Sequence, residues 1–169
     1  MSKHSSETRK VALICGSESD LPLVKEILNK LNISPKDAQL TLHIMSCHRN
    51  PLELAAFAAS SEVDGLHAII GVGSKALALP GMLDAFLHAN GKEVPVVGVA
   101  IGEGKSLETA TLSIEELPGQ PVVMDEINGI VYSGQDGLKR AVERVVYGEL
   151  PPRPPRVEKT VKMDVWKNF

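Results

Sequence analysis

Residues 11–15 read Val-Ala-Leu-Ile-Cys, five apolar side chains in a row. A strand wetted on one face alternates apolar and polar residues. An unbroken run fits a strand buried on both faces, as in a parallel sheet. Parallel strands need crossover connections, normally helices, so the run commits the chain to an alternation of strand and helix. The following residues supply it. Gly16 closes the run and residues 17–20 (Ser-Glu-Ser-Asp) make a polar loop. Leu21, Val24, Ile27, Leu28 and Leu31 then recur at helical spacing, opposite Lys25, Glu26, Asn29 and Lys30. Asp20 stands at the N-cap position of that helix, and Pro22 suits its first turn.

The same unit repeats along the chain. Residues 39–45 form a second, less apolar strand, expected nearer an edge; residues 46–50 are its loop and Pro51 opens a helix. Residues 67–71 (HAIIG) are a third strand, followed by the small-residue loop Val72-Gly73-Ser74-Lys75. Residues 76–87 are apolar on nearly every side, with Pro80 resetting the helix start, a composition that hints at burial against another subunit. Residues 94–99 (VPVVGV) are a fourth strand and residues 100–105 its loop; a helix carrying Leu107, Ala110, Thr111, Ile114 and Leu117 follows. Residues 121–124 read as a short fifth strand. Residues 125–133 show no clear period, though Asn128-Gly129 signals a turn. Leu138, Ala141, Val142, Val145 and Val146 give the cleanest amphipathic helix, and the Pro-rich stretch beginning at Gly148 leads to Trp166 and Phe169. The expected organisation is a polar segment (1–10), one α/β domain (11–147) and an extended tail (148–169), either loose or laid on a neighbouring subunit.

In such a sheet ligands bind outside the carboxyl ends of the strands. The loops at 16–20, 46–50, 71–75 and 100–105 all lie there, predicting one pocket fed by four loops. In the first, Ser17, Ser19 and the backbone amides of a helix start can donate to an anion, and Asp20 can accept from sugar hydroxyls. The competing reading is plain capping by Asp20 with surface serines. In the second, Arg49 is a permanent cation able to grip two oxygens, and His48 can carry a proton near neutral pH. Cys47 reads as a packed small residue rather than a nucleophile. In the third, Gly73 and Ser74 let backbone amides approach a ligand, and Lys75 either faces it or is solvated. His43, His67 and His88 sit in apolar elements and read as structural. No cluster has metal-ligand spacing, so no metal is expected. Net charge is −3, which does not suggest a nucleic-acid or membrane-surface binder. Two cysteines without scaffold spacing fit a reducing, cytoplasmic compartment. The chain starts without an apolar leader and has no run of about 18 apolar residues, so no span is expected.

Three pieces in order, Gly16-Ser17-Glu18-Ser19-Asp20, Ser46-Cys47-His48-Arg49-Asn50-Pro51 and Leu79-Pro80-Gly81-Met82, resemble motifs of the PurE family, which handles carboxylated aminoimidazole ribonucleotides in purine synthesis. A fragment at 113–118 (SIEELP) is also similar, and the likeness spans roughly residues 11–123. The resemblance implies a flavodoxin-like three-layer α/β/α sandwich, assembled as a homo-oligomer, often an octamer, with pockets at subunit junctions. It implies an enzyme without metal or nucleotide cofactor. The bacterial-type members move a carboxyl group from the exocyclic nitrogen to a ring carbon, releasing and recapturing carbon dioxide in a closed pocket. Carried over residue by residue, His48 shuttles the proton, Ser19, Ser46 and Arg49 hold the phosphate, and Asp20 holds the ribose hydroxyls. Gly16, Ser17, Gly73, Ser74 and Lys75 complete the substrate-binding set. The chain departs from the pattern at Ala78, where mutases carry a histidine, and at Cys47, where alanine is usual. Ser74-Lys75 leans toward the animal-type carboxylases, which use carbon dioxide directly but have lysine where Arg49 stands. Direct carboxylation and a non-catalytic nucleotide-binding relative are the alternatives.

Overall fold

The computed structural model describes residues 7–125 and 131–154. The first six residues, the turn at Asn128-Gly129 and the tail with Trp166 and Phe169 lie outside the described residues.

The five-residue apolar run becomes the second-outermost strand of a five-stranded parallel sheet. The strands are β1 (Arg9–Cys15), β2 (Ala38–Ile44), β3 (Ala68–Gly73), β4 (Val96–Ala100) and β5 (Tyr132–Ser133). Their spatial order is β2-β1-β3-β4-β5 and every pairing is parallel. Four helices fill the crossovers, α1 (Leu21–Lys30), α2 (Pro51–Ala59), α3 (Leu79–Ala89) and α4 (Gly104–Glu115), and α5 (Gly134–Tyr147) follows β5.

Successive side chains of a strand point to opposite faces, and the two cores divide along that alternation. Val11, Leu13 and Cys15 of β1, with Ala68, Ile70 and Val72 of β3, pack with Val24 and Ile27 of α1 and with the apolar stripe of α5. Ala12 and Ile14, with Ile69, pack on Leu54 and Phe57 of α2, Leu83 and Leu87 of α3, and Ile114 of α4. This is the expected three-layer sandwich of flavodoxin-like order. The less apolar β2 is an edge strand, exposing Leu42 and Ile44. Among the described residues no helix is long and apolar enough to cross a membrane.

Two elements differ from the sequence reading. Residues 121–124 contribute a single bridge, Val123 to Val97, rather than a strand. Pro118, Gly119 and Pro121 around them leave little backbone able to pair. The fifth strand is Tyr132–Ser133, held beside β4 by the helix that follows. A Cβ added at Gly137 in the first turn of α5 would lie 2.8 Å from the Tyr132 carbonyl carbon. Gly137→Ala is therefore expected to destabilise the protein by about 1–3 kcal/mol, against alanine's helix preference of about 1 kcal/mol. Urea unfolding measures this; an unchanged or raised midpoint would show that β5 and α5 are not rigidly docked.

The start of the tail is neither loose nor reserved for a neighbour. Leu150 packs on the first core, and Arg153 reaches the Asp84 carboxylate in the middle of α3 and the Lys92 carbonyl just beyond it.

Candidate active site

Strand order reverses between β1 and β3: from β1 the chain moves outward to β2, then back across to β3. At such a switch point the flanking loops separate and leave a crevice. Here it is a cavity of about 290 Å³. Its walls include every residue the sequence singled out: Gly16, Ser17, Ser19 and Asp20 after β1, Ser46, His48 and Arg49 after β2, and Gly73, Ser74 and Lys75 after β3.

The first loop is fixed at both ends of its turn. The Gly16 amide donates to the Val72 carbonyl at 3.0 Å, continuing the sheet, and the Cys15 thiol donates to the Ser17 carbonyl at 3.2 Å. Ser17 Oγ accepts from the Ser19 amide at 3.3 Å, capping a short 3-10 turn at Glu18–Asp20. The Ser17 and Ser19 hydroxyls lie 2.8 Å apart. One must donate to the other, so the pair retains one hydroxyl hydrogen for an anion. Asp20 occupies the N-cap position of α1 but its side chain makes no capping bond. Its Oδ1 instead accepts from Ser74 Oγ at 3.0 Å, joining the first loop to the third. The capping reading gives way to a contact 54 residues away in sequence.

The second loop is organised by Ser46, which is buried. Its Oγ accepts from the amides of His48 and Arg49 at 3.3 and 3.2 Å, leaving its own hydrogen to donate into the cavity. The Asn50 amide donates to the Ser46 carbonyl at 2.7 Å, and Pro51 starts α2 immediately afterwards. His48 and Arg49 are exposed at the mouth of the cavity. Arg49 Nη2 donates to the Gly16 carbonyl at 3.1 Å, tying the second loop to the first. Cys47 also lines the cavity but is half-buried against the second core, and burial pushes its thiol pKa up. It stays protonated near neutral pH, in keeping with a packing role.

The third loop runs close against Leu77, so that a side chain at Gly73 would have to displace it. A Cβ at Gly73 would come within 2.8 Å of Leu77 Cδ1 and 3.8 Å of Asp20 Oδ2. Lys75 has φ +60°, and its amide donates to the Ser106 carbonyl at 3.1 Å. The fourth loop does not line the cavity, correcting the four-loop expectation. The Ile101 amide pairs with the Gly73 carbonyl at 2.8 Å, and Gly102, at φ +113°, then turns the chain directly into α4 behind Ser74. That backbone state is open to glycine and strained for other residues.

Ala76, Leu77, Ala78 and Leu79 form an apolar wall that residue chemistry did not single out. The available signal was their place between a strand-end glycine and the Leu-Pro helix start. The wall suits a flat ring, and the polar loops suit a phosphate and a sugar. Among the charged groups of the lining, Arg49 and Lys75 outweigh Asp20, so the site favours an anion. A second cavity, about 420 Å³, lies along α5, where both arginines are already engaged: Arg140 grips Asp125 at 2.7 and 3.0 Å, and Arg144 donates to the Met124 carbonyl and the Tyr132 hydroxyl. Among the described residues no three His, Cys, Asp or Glu side chains gather where they could hold a metal ion.

Comparison with known proteins adds a second line of argument. The family model described as AIR carboxylase matches residues 10–135. An N5-carboxyaminoimidazole ribonucleotide mutase of Pyrococcus abyssi is 37% identical over 123 residues, covering 71% of this chain and 66% of the relative. One from Thermotoga maritima is 30% identical over 164 residues, covering 92% of this chain and 87% of the relative. A phosphoribosylaminoimidazole carboxylase of Saccharomyces cerevisiae is 34% identical over 121 residues, covering 70% of this chain but 20% of that much longer protein.

Proposed function

Because the chain belongs to the AIR carboxylase family, we propose that it interconverts N5-carboxyaminoimidazole ribonucleotide and 4-carboxyaminoimidazole ribonucleotide. The observation that carries this reading is the convergence of His48, Arg49, Ser46, Ser19 and Asp20, from two separate loops, on one cavity at the switch point of the sheet.

In this reading the phosphate rests on Arg49, the Ser46 hydroxyl and the Ser17–Ser19 pair. Asp20, steadied by Ser74, accepts from the ribose through Oδ2. The imidazole ring lies against the Leu77–Leu79 wall, near the Gly73 and Ser74 amides. The reaction then balances with one proton. His48 gives it to the exocyclic nitrogen as the N–C bond breaks and carbon dioxide leaves. The ring carbon attacks the carbon dioxide, a C–C bond forms, and the ring carbon's hydrogen returns to His48 as a proton. The protonated imidazole is regenerated and no cofactor is consumed.

Carbon dioxide must not escape between the two steps, so the pocket has to exclude bulk water. In the single chain the mouth is open at His48 and Arg49; Leu52, three residues past Arg49, is 80% exposed, and Met82, three residues past the wall residue Leu79, is 39% exposed. Apolar side chains at that position favour a homo-oligomer whose neighbouring copy closes the mouth. The cytoplasm suits the protein, since Cys15 and Cys47 are both unpaired thiols.

The test is turnover of the N5-carboxylated nucleotide by purified protein without ATP, followed by the absorbance of the ring-carboxylated product. Conversion is expected at a rate independent of added bicarbonate. An inert N5-carboxylated nucleotide, with product formed only from aminoimidazole ribonucleotide and bicarbonate, would transfer the assignment to direct carboxylation. No product by either route would remove the enzymatic reading.

A further inference from the structure

Lys75 is one of two non-glycine residues with positive φ among the described residues; the other, Gln120, lies in the turn after α4. The left-handed region is uncommon for a lysine, and glycine would adopt it without penalty. The loop is nonetheless pinned there, because the Lys75 amide donates to the Ser106 carbonyl and the preceding Ser74 hydroxyl donates to Asp20. Lys75 is also the sole charged residue between Gly73 and Leu79, and it lines the cavity. Strain retained at a ligand cavity, where a residue without a side chain would serve the backbone better, points to use of the side chain.

The charges of the lining say what that use is. The proposed substrate has two anionic ends, a phosphate and a carboxylate. The cavity has two basic side chains, Arg49 and Lys75. Arg49 follows β2 and is hydrogen-bonded to Gly16; Lys75 follows β3, on the other side of β1. Strands neighbour each other at about 4.8 Å, so the ends of β2 and β3 stand about 10 Å apart. That spacing leaves room for each cation to hold its own anion, Arg49 on the β2 side, where one of its nitrogens is already engaged by Gly16, and Lys75 on the β3 side. Asp20, the ribose acceptor in the proposed function, belongs to the loop between them. From this arrangement we infer that the Lys75 ammonium is the counter-ion of the migrating carboxylate, and sets the preference for carboxylated over uncarboxylated nucleotide. The inference rests on the proposed reaction and adds to it a specificity-determining residue.

The experiment compares equilibrium binding of 5-aminoimidazole ribonucleotide and its 4-carboxylated form to the full-length protein and to Lys75→Met, Lys75→Gly and Lys75→Arg. Lys75→Gly relieves the backbone strain, so loss of folding cannot account for its behaviour. Removing the ammonium is expected to weaken the carboxylated nucleotide about 10- to 100-fold. The uncarboxylated nucleotide, and competition by inorganic phosphate, should stay near wild type, and Lys75→Arg should recover most of the loss. Equal weakening of both nucleotides, or of neither, overturns the inference while leaving wild-type turnover, and the proposed function, in place. A wild-type protein that neither binds nor converts the carboxylated nucleotide overturns both.

Discussion

His48→Asn is expected to lower turnover about 10²- to 10⁴-fold, the usual contribution of a positioned acid–base group, while nucleotide affinity stays near wild type. The separation follows from how the loop is built. The backbone at His48 is held by its amide on Ser46 Oγ, and Arg49 by its amide on the same oxygen and its guanidinium on the Gly16 carbonyl. None of these bonds uses the imidazole. Asparagine keeps a similar reach and polarity but cannot take up and return a proton at neutral pH. The phosphate and ribose contacts therefore survive and the proton relay does not. Two measurements check this. Steady-state kinetics with direct binding should show kcat falling alone. In deuterium oxide, exchange of the ring C–H of bound aminoimidazole ribonucleotide should proceed in the wild type and stop in the variant. If affinity collapses together with rate, His48 is a binding residue; if neither changes, the proton travels by another group. A non-catalytic nucleotide-binding protein would have no rate to lose.

The site's three loops could be read before any coordinates because their chemistry stands directly after apolar runs. Gly16, Ser46 and Gly73 each stand at or just past a strand's carboxyl end, and a parallel sheet brings those ends to one edge. What escaped the reading was long-range. Asp20 looks like a cap because nothing local shows Ser74 competing for its carboxylate. The fourth loop looks like a contributor because the turn at Gly102 is a property of φ, not of composition. β5 has two residues, too few to show a period, whereas the β-branched residues at 122–123 imitate a strand that proline and glycine prevent. The cation at Arg153 is hidden in a stretch of prolines, 69 residues from its partner. A signal did exist at the other end. Asp84 is a carboxylate in a helix apolar on nearly every side, and a buried carboxylate requires a partner.

That pairing carries the largest stability effect expected outside the core. Asp84 and Arg153 have side chains 1% and 9% exposed. Arg153 donates to the Asp84 carboxylate, to the Asp84 carbonyl at 3.0 Å and to the Lys92 carbonyl, so one guanidinium closes the end of α3 against the first residues of the tail. Burial holds its pKa below the usual arginine value, partly offset by Glu93, yet leaves it a cation at any physiological pH. Arg153→Ala deprives a buried carboxylate of this cation, which is expected to destabilise the protein by about 3–5 kcal/mol. Small domains have about 5–15 kcal/mol in total, so the loss is a large share, equivalent to roughly 6–20 °C in Tm at this chain length. Replacing both partners by apolar residues of similar volume, Asp84→Leu with Arg153→Met, removes the burial penalty along with the attraction and should return stability to near the wild-type level. Urea unfolding of the two single variants and the double variant decides it. Arg153→Ala within about 0.5 kcal/mol of wild type would mean that the contact contributes no more than an ordinary surface pair. The consequence reaches the site, because α3 starts at Leu79 on the cavity wall and Asp84 lies about one and a half turns further along the same helix. Loosening that helix should blur the apolar wall, so Arg153→Ala is expected to raise KM for the nucleotide more than it lowers kcat, the reverse of the His48→Asn pattern.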